Sequence, residues 1–143
     1  MGGINVKRWI MGGLAAGVVM WVIEGAASQL YMADMEAAMT AHNLVWEVSY
    51  ATMATSLIVS FIAGLVIVFF YAASRPRFGP GAGTAIKVAV VLWFGGYLLS
   101  LLGYQMIGLF PDNLIALWGL IGLVEMIIAA LVGGWLYREE TPA

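Results

Sequence analysis

Residues 48–73 read VSYATMATSLIVSFIAGLVIVFFYAA, a run without a single charged side chain. A helix needs ~20 predominantly apolar residues to cross ~30 Å of hydrocarbon at ~1.5 Å per residue, so this run is long enough to span a bilayer. Three more runs flank it, at 9–33, 88–110 and 113–137. The third is also uncharged and stops at Pro111, while the first and fourth are broken only by Glu24 and Glu125. Hydrophobic residues make up 63% of the chain and charged residues 10%. A soluble domain carries about 25% charged residues, so too little polar surface remains here for a soluble fold. The sequence therefore predicts one integral membrane domain over residues 1–143, all-α, built as a four-helix antiparallel transmembrane bundle. The apolar part of the first run is too long for a cleaved signal peptide.

Charge sets the expected topology. In a four-pass chain, Lys7, Arg8, Arg75, Arg77, Lys87 and Arg138 all fall on one side. The other side holds Asp34, Glu36, His42, Glu47 and Asp112, with no Lys or Arg. The positive-inside rule then makes both termini cytoplasmic. Trp9, Tyr31, Trp46, Tyr71, Phe110 and Tyr137 lie near run ends, where interfacial aromatics belong.

The connections differ in kind. Residues 74–83, SRPRFGPGAG, predict a Pro/Gly turn through which neither neighbouring helix continues. Residues 110–113 predict a tight hairpin in which Asp112 or Asn113 caps the fourth helix. Residues 32–45, rich in Ala and Met and carrying Asp34 and Glu36, predict a short interfacial helix after the first span.

Helical spacing gathers the polar and small residues of each run onto one face. These are Gly13, Gly17, Glu24, Ser28 and Tyr31 in the first run and Trp118, Gly122, Glu125, Ala129 and Gly133 in the fourth. The second offers Ser49, Thr52, Ser56, Ser60 and Gly64, and the third Trp93, Tyr97, Ser100 and Tyr104. Such stripes let helices approach closely and bond through hydroxyls. Counted from the run ends, the polar members cluster from mid-membrane outward, which predicts an outward-facing pocket.

A carboxyl group at mid-membrane costs a few kcal/mol at least, so Glu24 and Glu125 are the prime functional candidates. Close together in a low dielectric, they do not both ionise. Such a pair can exchange a proton for a cationic solute. Two other roles stay open: structural hydrogen bonding to Ser28, Tyr97 or Tyr104, and contact with another subunit. Candidate proton- and solute-binding residues are Glu24, Glu125, Tyr97, Ser100, Tyr104, Ser56 and Trp118.

Met32, Met35, Met39 and His42 are spaced three, four and three, which would align thioethers and an imidazole suited to Cu(I) on one helical face. An amphipathic surface helix produces the same spacing. With His42 as the only histidine, bis-histidine haem ligation within one chain is excluded. The absence of cysteine excludes disulfides, thiolate metal sites and a cysteine nucleophile. No nucleophile with its base, phosphate loop or two-metal set stands out, so the expectation is a protein that is not an enzyme and carries no cofactor.

Residues 12–24, GGLAAGVVMWVIE, resemble the first helix of the small multidrug resistance exporters, which also carry one Glu there. The likeness covers about one helix. The strict charge bias and the second membrane Glu depart from that family, so an antiparallel dual-topology dimer is not expected. Residues 75–81, RPRFGPG, with Trp93, Phe94 and residues 135–139, WLYRE, resemble small four-helix bacterial inner-membrane proteins of unassigned function. That resemblance implies the topology and a bacterial inner membrane, and brings no activity.

The expected function is proton-coupled transport or binding of a small cationic or polar solute. The alternative is an accessory or scaffold subunit of a membrane complex, and a further one is Cu(I) handling by the Met/His stripe. Expected partners are the lipid bilayer, a solute, and either further copies of the chain or a partner membrane subunit, with no nucleic acid.

Overall fold

The computed structural model describes residues 3–139, so residues 1–2 and 140–143 of the expected domain lie outside the described residues. Helix α1 (Val6–Ala27) starts at Asn5, whose side chain accepts the Arg8 N–H at 3.1 Å, and runs into a 3-10 turn (Ser28–Leu30). Next come α2 (Met32–Ala41) and α3 (Tyr50–Phe78). A capping box opens α3: Ser49 Oγ accepts the Thr52 N–H at 3.2 Å, and the Ser49 N–H donates to Thr52 Oγ1 at 2.8 Å. The third rod (Ala82–Met106) is composite, with α4 (Ala82–Leu92), a π-helical segment (Trp93–Leu98) and α5 (Leu99–Met106). Helix α6 (Asp112–Leu136) completes the chain, and there is no strand among the described residues.

The all-helical class and the number of long helices agree with the sequence. Four rods, Val6–Leu30, Tyr50–Phe78, Ala82–Met106 and Asp112–Leu136, are long and apolar enough to cross a membrane. Between 17% and 33% of each rod's most apolar stretch is buried, so most of its apolar surface faces outward, as suits helices bathed in lipid.

Three local expectations need correction. Helix α3 continues through Pro76 and ends only at Gly79, whose φ of 80° and N–H bond to Arg75 O (2.9 Å) turn the chain. Pro76 lies within the final turn, where a missing N–H disrupts little beyond one ladder bond. The third rod ends at Met106, before the predicted residue 110, with Gly108 (φ 68°) making the turn. The α6 N-terminus has no side-chain cap; Asp112 Oδ1 instead accepts Gln105 Nε2 at 2.9 Å.

Glycine sets the closest crossings. A Cβ on Gly64 would collide with Gly13 O and come within 2.9 Å of Gly17 Cα, so α1 and α3 meet backbone to backbone. One on Gly12 would lie 2.7 Å from Gly133 O, which puts α6 equally near on another face of α1. Around these crossings Ala16, Ile67, Val68, Tyr71, Ala129 and Ala130 form the core. Trp9 pins the α1–α3 pair by donating Nε1 to Leu65 O at 2.8 Å.

Helix α1 thus packs on α3 and α6, α4 packs on α6, and α3 touches both α4 and α6. Both ends of the bundle are tied by aromatics. Near the termini, the Asn5 N–H donates to the Tyr137 hydroxyl (3.2 Å) and the Gly81 N–H to the Tyr71 hydroxyl (3.0 Å), with the two Tyr rings edge to face. At the other end α5 packs on α6 and the π segment but not appreciably on α3. The first turns of α3 are left exposed, Tyr50 at 94%, so the bundle is not sealed there.

Candidate functional site

The site lies where the bundle opens. Glu24 sits on the last turns of α1, and the 3-10 turn swings Tyr31 back so that its hydroxyl donates to Glu24 Oε1. Tyr31 is only 6% exposed, because Trp118 of α6 packs edge to face on it, centroids 5.6 Å apart. Phe110 extends the stack against Trp118 at 4.8 Å. Edge-to-face geometry sets the positive ring edge against the negative face of its neighbour and fixes the rings relative to each other. The Glu24 carboxylate is therefore held in place from the side of the α1–α2 connection.

Glu125, on the buried face of α6, interacts electrostatically with Glu24 on the neighbouring helix α1. Tyr31 and Tyr97 both lie within electrostatic reach of the two carboxylates. Gly122 gives Tyr97 its position. A Cβ there would lie 2.9 Å from Cδ1 and Cζ of the Tyr97 ring, so the ring rests on bare α6 backbone one turn before Glu125.

Tyr97 belongs to the π segment. π turns are rare and often mark functional sites, since their wider register re-aims side chains. Trp93 Nε1 anchors the start of this segment on Gly119 O at 2.9 Å, and Ser100 Oγ bonds Gly96 O at 2.7 Å just beyond it.

Glu24, Tyr31, Tyr97 and Trp118 border a cavity of about 550 Å³. Trp21, Glu24, Ser28 and Tyr31 line it from α1 and its 3-10 extension, Met32 and Met35 from α2, and Trp46 from the connection between α2 and α3. Thr52, Met53, Ser56 and Ser60 contribute from α3, with Tyr97 and Trp118 across from them. Ser56 is fixed by accepting Trp21 Nε1 (3.1 Å) and donating to Met53 O (2.8 Å). Half of the lining residues are aromatic or thioether, and Glu24, Ser28, Gln29, Thr52, Ser56 and Ser60 add polar groups, a mixture that suits a small-molecule pocket. Glu24 is its only carboxylate.

Of the residues singled out from the sequence, Glu24, Ser56, Tyr97 and Trp118 line the cavity, and Glu125 lies buried within electrostatic reach of Glu24. Ser100 and Tyr104 do not line it. Ser100 is exposed and bonded to its own helix, and Tyr104, 45% exposed, packs edge to face on Phe110. Met32 and Met35 reach the cavity, whereas Met39 and His42 do not. No group of three or more His, Asp or Glu that could hold a metal occurs among the described residues.

Sequence reasoning missed the hydroxyl that holds Glu24 and the indole that holds Ser56. Tyr31 carried a signal, seven residues beyond Glu24 on the same helical face, but its place at a run end suggested an interfacial role. Trp21 carried none. Comparison with protein-family models, with curated proteins and with solved structures finds no match.

Proposed function

We propose that the chain is an integral membrane protein that binds a small organic cation in this cavity and exchanges it for a proton at the Glu24–Glu125 pair. One observation carries the reading: Glu24 faces a cavity rich in aromatic rings while a second carboxylate, Glu125, lies buried on α6, the helix packed against α1. Two carboxyl groups so placed hold one proton more readily than two negative charges. An arriving cation stabilises both ionised forms, and the shared proton leaves. Trp21, Trp46, Trp118 and Tyr97 supply ring faces that suit an ammonium or aromatic cation. The function needs no catalytic residue and no cofactor.

The charge distribution supports an antiparallel arrangement with both termini cytoplasmic, α2 at the outer interface and the cavity opening outward. Within a bacterium this would be the inner membrane. The close glycine crossings within the chain support further copies packing in the same manner.

The test is proton release on addition of solute from a panel of organic cations, followed by a pH dye and by fluorescence of the tryptophans that line the cavity. Release is expected in the wild type and absent in Glu24→Gln. Silence of the wild type across a broad panel would overturn the reading.

A second reading, an accessory or scaffold subunit, is favoured by the polar side chains Thr55, Ser100 and Tyr104 on exposed surfaces of α3 and α5. A stoichiometric partner in native purification supports it; a lone homo-oligomer supports the first. Cu(I) handling would rest on Met32 and Met35 of the Met/His stripe, with Met53 of α3 in the same lining, and a Cu(I) titration of the Met32→Leu, Met35→Leu variant tests it.

A further inference from the structure

At the opposite end of the bundle a second cleft, of about 470 Å³, is lined by Asn5, Lys7, Arg8, Met11, Arg138 and Glu139. Its chemistry is unlike that of the first. Lys7 and Arg8 belong to the first turn of α1, which contains no acidic residue, and Arg138 follows the end of α6. Glu139 is the one carboxylate in the lining, and it leans toward Arg75, whose Nη1 is 3.8 Å from Glu139 Oε1. Arg75 needs that charge. Its Nε and Nη1 are buried without a hydrogen-bond partner, and its guanidinium sits 5.3 Å from the Tyr137 ring centre. Among the described residues no ion pair engages Lys7, Arg8 or Arg138. Among the described residues, three cations from two segments thus converge on one concavity whose one carboxylate, Glu139, is turned toward Arg75. The positive end of the α1 dipole adds to their potential.

We infer that this cleft binds a phosphate group, the anion carried alike by an acidic phospholipid headgroup and by soluble phosphate. The two guanidinium forks can each donate paired hydrogen bonds to phosphate oxygens, and Lys7 adds a mobile point charge. Two features make a lipid the natural carrier. The cleft lies where two long apolar helices begin and end, and basic pockets at such depths capture acidic headgroups. Met11, in the same lining, continues along α1 into exposed apolar surface at Ile10 and Leu14, over which an acyl chain can lie. This inference is independent of the solute-binding cavity and of its carboxylates.

The experiment compares the whole chain, purified and delipidated, with phosphatidylglycerol, with phosphatidylcholine, and with inorganic phosphate alone. The readouts are bound lipid by native mass spectrometry and melting temperature in nanodiscs. Phosphatidylglycerol should remain bound and raise the melting temperature where phosphatidylcholine does not. Each exposed cation removed weakens binding about fivefold, so Lys7→Ala with Arg138→Ala loses roughly 25-fold in affinity. If inorganic phosphate alone reproduces the shift, and the double variant abolishes it, the phosphate site stands with soluble phosphate as the source. Glu139→Gln removes the one carboxylate of the lining, at some cost in stability through Arg75, and should tighten binding in either case. Equal retention of the two lipids with no response to phosphate, or unchanged affinity in a double variant that keeps its wild-type melting temperature in phosphatidylcholine, would overturn the inference.

Discussion

Tyr31 folds back two helical turns onto Glu24 of its own rod and gives its hydroxyl proton to that carboxylate, while Trp118 of α6 holds the phenol ring from the side. The pair is local in sequence, with Tyr31 directly after the 3-10 turn that extends α1, but tertiary in cause, since Trp118 of α6 packs on the ring. A fully buried acceptor stripped of its donor costs ~1–3 kcal/mol; Glu24 is half-buried at the cavity wall, so Tyr31→Phe is expected to destabilise the protein by ~1 kcal/mol, the lower end of that range. Because the two groups share one bond, Tyr31→Phe and Glu24→Ala, each of which removes it, are not additive: a double-variant cycle, read by unfolding in detergent, should give a coupling of ~0.5–3 kcal/mol. Simple additivity would mean that the two groups merely sit near each other.

Gly122 decides where Tyr97 can be. A methyl group at that position overlaps the ring, and Tyr97 must leave α6 or push the π segment away. Overpacking of this kind costs typically ~1–3 kcal/mol. Gly122→Ala is therefore expected to lower stability and, more tellingly, to reduce the solute-dependent fluorescence change with both carboxylates intact. Ser100→Ala, outside the cavity, should leave that signal alone. A wild-type response in Gly122→Ala would show that Tyr97 is a bystander.

The α1–α3 crossing makes a sharper stability test. Gly64→Ala sets a Cβ against backbone atoms of Gly13 and Gly17, which have no rotamer to move aside, so the helices must separate. A loss of at least ~2 kcal/mol is expected. Gly103→Ala is the matched control: a Cβ there meets nothing within 4 Å, and the helical gain from Gly to Ala is up to ~1 kcal/mol. Thermal unfolding of the two variants side by side should move in opposite directions.

How much of this could be read from the sequence depends on which physical signal each feature leaves. The four rods were legible because apolar length and the absence of charge are properties of single segments, and the uncharged run at 48–73 admits no other class. That the helices carrying Glu24 and Glu125 pack on each other was legible only as a possibility, because two mid-membrane carboxylates invite a common site but helix order is not written in either run. Ser100 and Tyr104 show where periodicity misleads. An ideal period of ~3.6 residues puts them on the face of Trp93 and Tyr97, but the π segment at Trp93–Leu98 takes more residues per turn and rotates α5 relative to α4. No local sequence rule announces a π turn. Pro76 misled in the opposite way, since a proline in the last turn of α3 is tolerated where one in its middle would not be.

The carboxylate pair offers the most direct separation of function from architecture. If Glu24 and Glu125 are kept for solute exchange, the folded protein carries a cost for holding one half-buried and one buried ionisable group within a bundle of apolar helices. Glutamine has the same shape, keeps an acceptor for the Tyr31 hydroxyl and has no charge to desolvate. The variant Glu24→Gln with Glu125→Gln is then expected to melt higher than the wild type by ~2–6 °C while losing solute-dependent proton release. Structural carboxyl groups predict the reverse, because each would be donating or accepting bonds that an amide reproduces with the wrong polarity at one of its two ends. A double variant that melts well below the wild type would move both residues from the binding reaction to the scaffold, and would direct the search from solutes to protein partners.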